Sequence, residues 1–184
     1  MRLLKKSCLL LVLFGMNAVL AQTPELRKPD VIFVPTPQAV VDAMLKLANV
    51  GANDIVYDLG CGDGRMVATA AKQFGARGVG IDIDPERIEE SNRTVREAGV
   101  QSRVKILHQD LFETDIKEAT VVTLYLLRSL NLKLRPKLWK ELKPGTRIVS
   151  QTFDMDDWKP EKQIEVEGRQ IYLWRVPATP PVSQ

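Results

Sequence analysis

Hydrophobic positions along the chain change their period repeatedly, and each change marks a predicted element. Val40, Val41, Met44, Leu45 and Leu47-Ala48 recur at helical spacing, so a helix is expected from about Pro37. Thr36 is its expected N-cap, with Pro37 at the first helical position. Gly51-Ala52-Asn53-Asp54 stops that helix and turns the chain. Ile55 to Leu59 is a short apolar run ending in glycines, the pattern of a buried strand. Helical spacing returns from about Asp63 to Phe74, with Met66, Val67, Ala70 and Ala71 facing inward. Gly78 to Asp82 predicts a second strand, Pro85 opens a helix carrying Ile88 and Val95, and Val104 to Leu107 predicts a third strand. The β-branched and aliphatic run Thr120 to Leu127 predicts a long central strand. Asn131 to Leu142 predicts a helix, with Pro136 marking the first turn of its main segment. Arg147 to Phe153 is a further strand, and Gln163 to Glu167 and Gln170 to Trp174 alternate about Gly168 as a β-hairpin.

Strands separated by helical crossovers imply an α/β fold with a Rossmann-like, doubly wound, mostly parallel sheet. The C-terminal antiparallel β-hairpin is expected to add one antiparallel strand at an edge. Ligands of such sheets bind beyond the C-terminal strand ends, where strand order reverses. The length of 184 residues fits one domain, placed at residues 36–177. Residues 22–35 are polar and Pro-punctuated, an extended lead-in, and residues 178–184 form a tail.

Charge alters the picture at the N-terminus. Arg2, Lys5 and Lys6 precede an apolar stretch centred on Leu9 to Phe14, and Val19-Leu20-Ala21 offers a cut at Ala21/Gln22. The uncharged segment Ser7 to Ala21 is 15 residues, against the roughly 20 that span a bilayer. Residues 1–21 therefore predict a cleaved signal peptide, with an uncleaved membrane anchor as the alternative, and an exported, periplasmic or membrane-associated location. Setting them aside removes three of the 26 basic residues and none of the 23 acidic ones, leaving a formal charge of zero. A general nucleic-acid binder carries a positive surplus, so no nucleic-acid partner is expected. Cys61 is the one cysteine beyond the leader and His108 the one histidine, which excludes an intramolecular disulfide and an ordinary His/Cys zinc site.

The densest chemistry is Asp58-Leu59-Gly60-Cys61-Gly62-Asp63-Gly64-Arg65, between a strand and a helix. Glycines there allow a tight turn and close approach of the backbone to a ligand. Gly60, Gly62 and Gly64 fall at i, i+2 and i+4, whereas the dinucleotide fingerprint puts its third glycine at i+5, where this chain has Arg65. Asp58 would repel a pyrophosphate and suits an ammonium group. Asp82 ends the second strand, 24 residues further on, where a carboxylate accepts from ribose hydroxyls. Asp110 follows the third strand, and Asp84 is assigned to capping the helix that Pro85 opens.

D-x-G-x-G-x-G after a strand resembles the class I S-adenosylmethionine-dependent methyltransferases. The resemblance implies S-adenosyl-L-methionine as cofactor, with Asp58, Gly60, Cys61, Gly62 and Gly64 around its methionine part. It implies Asp82 and Ile83 at the ribose, Asp110 on the adenine amino group and Leu111 packed on the ring. The DNA amino-methyltransferase motif is missing, since Leu124-Tyr125-Leu126-Leu127 stands in its place. Phe33-Val34-Pro35-Thr36-Pro37, the glycine motif, and Phe153 with Trp158-Lys159-Pro160 recur in this order in a narrower family. They resemble the protein-lysine methyltransferases whose mitochondrial members modify the ATP synthase c-subunit and the adenine nucleotide translocase, over roughly residues 30–160. That implies a lysine of a protein, on a membrane protein, as acceptor. It also implies that Pro35-Thr36 and Tyr125 border the cofactor and the entering amine and that Trp158 helps shape the acceptor channel.

Two departures bear on this. Asp82 stands where mitochondrial members carry Glu, which keeps the ribose role, and the residues flanking Tyr125 match weakly, which leaves the acceptor open. No general base is evident, but in-line displacement at a sulfonium draws much of its rate from positioning. A small-molecule methyltransferase and a non-catalytic S-adenosylmethionine-binding protein remain the alternatives. Cytosolic supply of this cofactor conflicts with export, unless the cofactor reaches that compartment, the leader is not used, or the chain starts later, as at Met16. The basic residues around Asn131 to Leu142 read as a solvated helix face, and Trp139, Trp158 and Trp174 as packing residues.

Overall fold

Helices and strands alternate through most of the chain, as the changes of hydrophobic period require. The computed structural model describes residues 26–179, so the leader expected at 1–21 lies outside the described residues, as do the last five of the tail. The elements are α1 (Gln38–Leu47), β1 (Ile55–Leu59), α2 (Arg65–Phe74), β2 (Arg77–Asp82), α3 (Pro85–Glu97), β3 (Val104–His108), β4 (Val121–Leu124), α4 (Arg128–Glu141), β5 (Arg147–Gln151), β6 (Lys162–Val166) and β7 (Arg169–Arg175). The strands form one sheet in the order β3-β2-β1-β4-β5-β7-β6, in which β7 alone runs opposite to the other six. The sheet reverses direction of growth between β1 and β4, where Asp58 stands opposite Gly80 on one side and Thr123 on the other.

Alternation along the strands sorts the core into two faces. Val56, Val121 and Val149 pack with Val40, Met44 and Leu45 of α1. Tyr57, Val122, Leu124, Ile148 and Trp174 point the other way, toward Leu134 and Leu138 of α4. A smaller cluster joins Val67 and Ala71 of α2 to Val95 of α3 and to Val104.

Four details differ from the sequence reading. Thr36 does not cap α1; Pro37 holds the cap position without a side-chain bond, and the Thr36 hydroxyl donates to Gln151 Oε1 at 2.9 Å. The central strand stops at Leu124 instead of Leu127, because its ladders with β1 and β5 end there, opposite Leu59 and Ser150. Freed of partners, Tyr125–Leu127 turns out of the sheet, and the Leu127 carbonyl accepts from Leu130 and Asn131 N–H at 2.9 and 3.0 Å. The helix thus starts earlier than expected, and Pro136 lies in its interior. Lacking an N–H, Pro136 leaves the Leu132 carbonyl without its usual in-helix donor. The hairpin turns at Glu167-Gly168, both at positive φ, as a two-residue turn requires. Its antiparallel strand is not the edge: β7, with Ile171, Leu173 and Trp174 buried, lies inside against β5, and the more polar β6 forms the rim. Apolar burial decides which strand goes in, and a charged edge resists further pairing.

Candidate functional site

A cavity of about 470 Å³ opens beyond the C-terminal ends of the parallel strands. Asp58, Gly60, Cys61, Gly62, Asp82, Ile83, Asp110 and Leu111 line it, as expected, and so do Thr36 and Tyr125. Gly64 and Trp158 do not. The lead-in contributes more wall than an extended connection suggested, from Arg27 to Val34.

The glycine turn forms the floor. Gly60 and Cys61 N–H both donate to the Ile81 carbonyl at 2.9 Å, which ties the turn to the end of β2. Gly62 has φ +54, and a Cβ there would run into the Phe33 ring, so the lead-in packs where only glycine leaves room. Gly64 takes φ +77 at the start of α2, and a Cβ would touch the Ser91 backbone at 3.0 Å. Its role is helix packing beneath the cavity. Ser91, buried on α3, donates to the Gly62 carbonyl at 2.6 Å and holds the turn from below. Cys61 is buried beside Ser91, and burial pushes its thiol pKa well up, so it stays protonated and fills space.

The carboxylates differ in state. Asp58 is 7% exposed, and Thr123 Oγ1 donates to its Oδ1 at 2.7 Å. Burial pushes its pKa up to about 7, with the Thr123 bond opposing and the charges of Asp82 and Asp63 adding to the rise. No ion pair reaches Asp58 among the described residues. Asp82 accepts from Gly62 N–H at 2.9 Å and Asp84 N–H at 3.0 Å, one on each oxygen. Asp84 caps α3 by accepting from Glu86 N–H, as the sequence suggested. Asp110 is engaged by the lead-in: Arg27 Nε and Nη2 donate to its two oxygens at 2.5 and 3.2 Å, and Phe112 N–H adds a third bond at 2.9 Å. Burial raises the Asp110 pKa, but these donors outweigh it and hold the carboxyl below the ordinary range.

The mouth is built otherwise. Thr36, Tyr125 and Phe153 form its wall, and Ile32, Val34 and Leu127 are exposed, at 87%, 50% and 47%. Trp158 packs between Trp139 and Trp174, at ring separations of 5.2 and 6.1 Å, and its carbonyl accepts from Trp174 Nε1. The expectation that it shapes the acceptor channel is therefore corrected: the loop folds its ring into the α4 face of the core. Phe153 takes the place in the wall. Half of the basic residues near α4 are paired, Arg128 with Asp154 and Asp156, Arg135 with Asp157, and Lys137 with Glu141.

Sequence reasoning missed Thr123, Ser91, Gln151 and Asn131, all of them buried polar residues. Ser91 left a trace, a small residue at helical spacing between Ile88 and Val95. Thr123 inside an aliphatic run left another. Gln151 and Asn131 gave none, because a polar residue at a strand end or in the first turns of a helix reads as exposed.

Residues 58–162 match the family model described as the ANTKMT methyltransferase domain. A protein-lysine N-methyltransferase of Saccharolobus islandicus (strain REY15A) is 52% identical over 151 residues, covering 79% of this chain and 94% of the relative. The chain belongs to this methyltransferase family. The adenine nucleotide translocase lysine N-methyltransferase of Mus musculus is 30% identical over 154 residues, 82% of this chain and 66% of that protein. A crystal structure of an RNA methyltransferase from Salinibacter ruber with S-adenosyl-L-homocysteine superimposes with a TM-score of 0.80 at 53% identity, covering 82% of this chain and 98% of that one. The enzyme is thus an S-adenosylmethionine-dependent methyltransferase. Its cavity fits that cofactor on its own terms: among the described residues Asp58 is a buried carboxylate without a cationic partner, a place an ammonium group would fill.

Proposed function

We propose that this methyltransferase transfers the methyl group to the ε-amino group of lysine side chains in a protein. The observation that carries the reading is the charge of the cavity. Six carboxylates (Asp30, Asp58, Asp63, Asp82, Asp84 and Asp110) face three arginines in its wall. Each of those arginines is already paired, Arg27 with Asp30 and Asp110, Arg65 with Asp63, and Arg87 with Glu86 and Glu90. Such a field draws in a cationic cofactor and an amine-bearing chain, and it repels phosphates. The names of the Saccharolobus and Mus musculus relatives point to lysine and that of the Salinibacter protein to RNA. The balanced charge of residues 22–184 favours the former.

In this reading Asp58 takes the ammonium group, with the Gly60–Gly62 backbone beside the methionine part. Asp82 accepts from the ribose and Ile83 packs against it. Asp110 and Leu111 meet the adenine, and Gly64 sets the helix behind the turn. Bound S-adenosylmethionine supplies a methyl carbon activated by its sulfonium. Thr36, Tyr125 and Phe153 then admit and align the neutral amine, excluding water from the reacting line. The proton lost from the lysine goes to solvent, since the mouth holds no dedicated base. The domain is taken as residues 36–177, with the lead-in from Arg27 as part of the working site. The basic-then-apolar pattern of residues 1–21 supports a location at a membrane or beyond it, which suits an acceptor at a membrane surface. Fractionating cells that express the full chain tests this placement, and recovery in the soluble cytosol overturns it.

The acceptor is tested with tritiated S-adenosylmethionine, poly-L-lysine and a mixed-sequence RNA, followed by mass spectrometry of the products. Label on lysine nitrogen and none on RNA is expected. Label on RNA with none on poly-L-lysine overturns the lysine reading.

A further inference from the structure

The loop after β5 carries Phe153 into the cavity wall by an unusual route. Thr152 is held at φ +68, in the left-handed region that β-branched residues avoid. Its N–H donates to the Gln170 carbonyl at 2.7 Å, and Phe153 N–H donates to the Gln151 carbonyl at 2.8 Å. Two fully buried side chains then close on the Phe153 carbonyl. Ser150 Oγ donates to it at 2.7 Å and Asn131 Nδ2 donates to it at 3.1 Å. The same Asn131 amide nitrogen lies 3.2 Å from Ser150 Oγ and 3.4 Å from the Asp154 carbonyl.

These neighbours fix the orientation of the Asn131 amide. Two carbonyls and a hydroxyl already donating elsewhere offer only lone pairs, so the NH2 end must face them. The Oδ1 end is left without a partner, a cost kept in a fully buried position. Asn131 also donates its backbone N–H to the Leu127 carbonyl, closing the turn that follows Tyr125. Its side chain thus grips the backbone behind Phe153, while the bond to Leu127 is one its main chain makes whatever the side chain.

We propose that Asn131 and Ser150 are positioning residues of the acceptor mouth, holding Phe153 in register for the entering side chain. The inference rests on the lysine reading, since a four-carbon stem with an amine needs an apolar, aromatic-walled passage more than further charge. Neither residue lines the cavity. Their action runs through the placement of Phe153, and it bears on the acceptor instead of the cofactor.

The test uses the full chain, poly-L-lysine as acceptor and calorimetry for S-adenosylmethionine. Asn131→Asp keeps the size but sets a carboxylate against two carbonyl oxygens. It is expected to lower kcat/KM for poly-L-lysine roughly ten- to hundredfold, with KM raised and cofactor Kd within about twofold. Ser150→Ala is expected to act in the same direction by roughly tenfold or less, and Ser150→Thr, which keeps the hydroxyl, to recover most of that loss. Placed on a Phe153→Ala background, Ser150→Ala is expected to add less than about twofold, because the residue it positions is gone. Equal losses in cofactor affinity and acceptor turnover, or full multiplication in the double variant, overturn the proposal. If Asn131→Asp does not fold, the two Ser150 variants and the double variant decide. An inactive wild-type enzyme on poly-L-lysine overturns the lysine reading together with this inference, whereas an active one with insensitive variants overturns this inference alone.

Discussion

The two ends of the cavity are made in contrasting ways. The floor is assembled from the ends of β1, β2 and β4, with buried Asp58, Thr123 and Ser91 joined by short bonds to backbone or to one another. The mouth is assembled from connections: the lead-in, the Tyr125–Leu127 turn and the loop bearing Phe153, with several apolar side chains left exposed. A floor of strand ends is rigid and fixed in charge, which suits a ligand that never changes. A mouth of loops can be rebuilt without disturbing the sheet, which suits an acceptor that differs between relatives.

The largest effect that separates the two ends is expected at Asp58. In the proposed reading Asp58→Asn removes the charge that would meet the ammonium group, and calorimetry should show cofactor affinity falling by roughly a hundredfold, the scale of a charged hydrogen bond. The ligand-free protein should respond oppositely. A carboxyl raised from 3.8 to about 7 destabilises the fold, because its ionised form is buried without a partner. That penalty is absent at low pH, grows as pH rises from about 4 to 7, and is constant above, amounting to at most about 4 kcal/mol. Asp58→Asn should therefore raise the ligand-free melting temperature at pH 8. A fall in both affinity and melting temperature would make Asp58 a structural residue.

The same linkage predicts a pH profile for binding. Only ionised Asp58 suits the cofactor, so affinity should be flat above pH 7 and weaken by up to about tenfold per pH unit below it. The slope should vanish in Asp58→Asn. At the mouth, Tyr125→Ala should cut turnover on poly-L-lysine by roughly tenfold while cofactor Kd moves by less than about twofold. An equal loss in both would merge the two ends into one site. Ser91→Ala deletes the 2.6 Å bond to the Gly62 carbonyl, worth about 1 kcal/mol, and should weaken cofactor binding by about fivefold. The smallest effect belongs to Arg27, an exposed partner of Asp110 at 37% and 15% side-chain exposure. Arg27→Ala should shift cofactor affinity by about twofold or less at low salt and not at all near 1 M salt. A large, salt-independent change would place the lead-in among the rigid parts.

Much of this contrast was legible before any coordinates. The acids of the floor follow one strand, one glycine turn and the ends of the next two strands, so the motif and the family resemblance together single out Asp58, Asp82 and Asp110 in the sequence. The mouth joins segments far apart in the chain, and nothing near Thr36 signals its bond to Gln151, 115 residues away. Trp158 was misplaced for the same reason, since a tryptophan near a motif reads alike whether its ring faces a cavity or a core. The length of β4 was overread because Tyr125-Leu126-Leu127 is as apolar as the strand before it. Apolarity reports burial and says nothing of where the neighbouring ladder ends.

By itself, the sequence determined the α/β alternation, the parallel sheet with its terminal hairpin, and the glycine turn with its strand-end acids, because period and glycine spacing act over a few residues. Tertiary structure alone decided which hairpin strand lies inside, how Asn131 and Ser150 set Phe153, and how Arg27 closes on Asp110. Those choices depend on hydrogen bonds and packing between segments far apart in the chain, which form only when the sheet has brought its strand ends together.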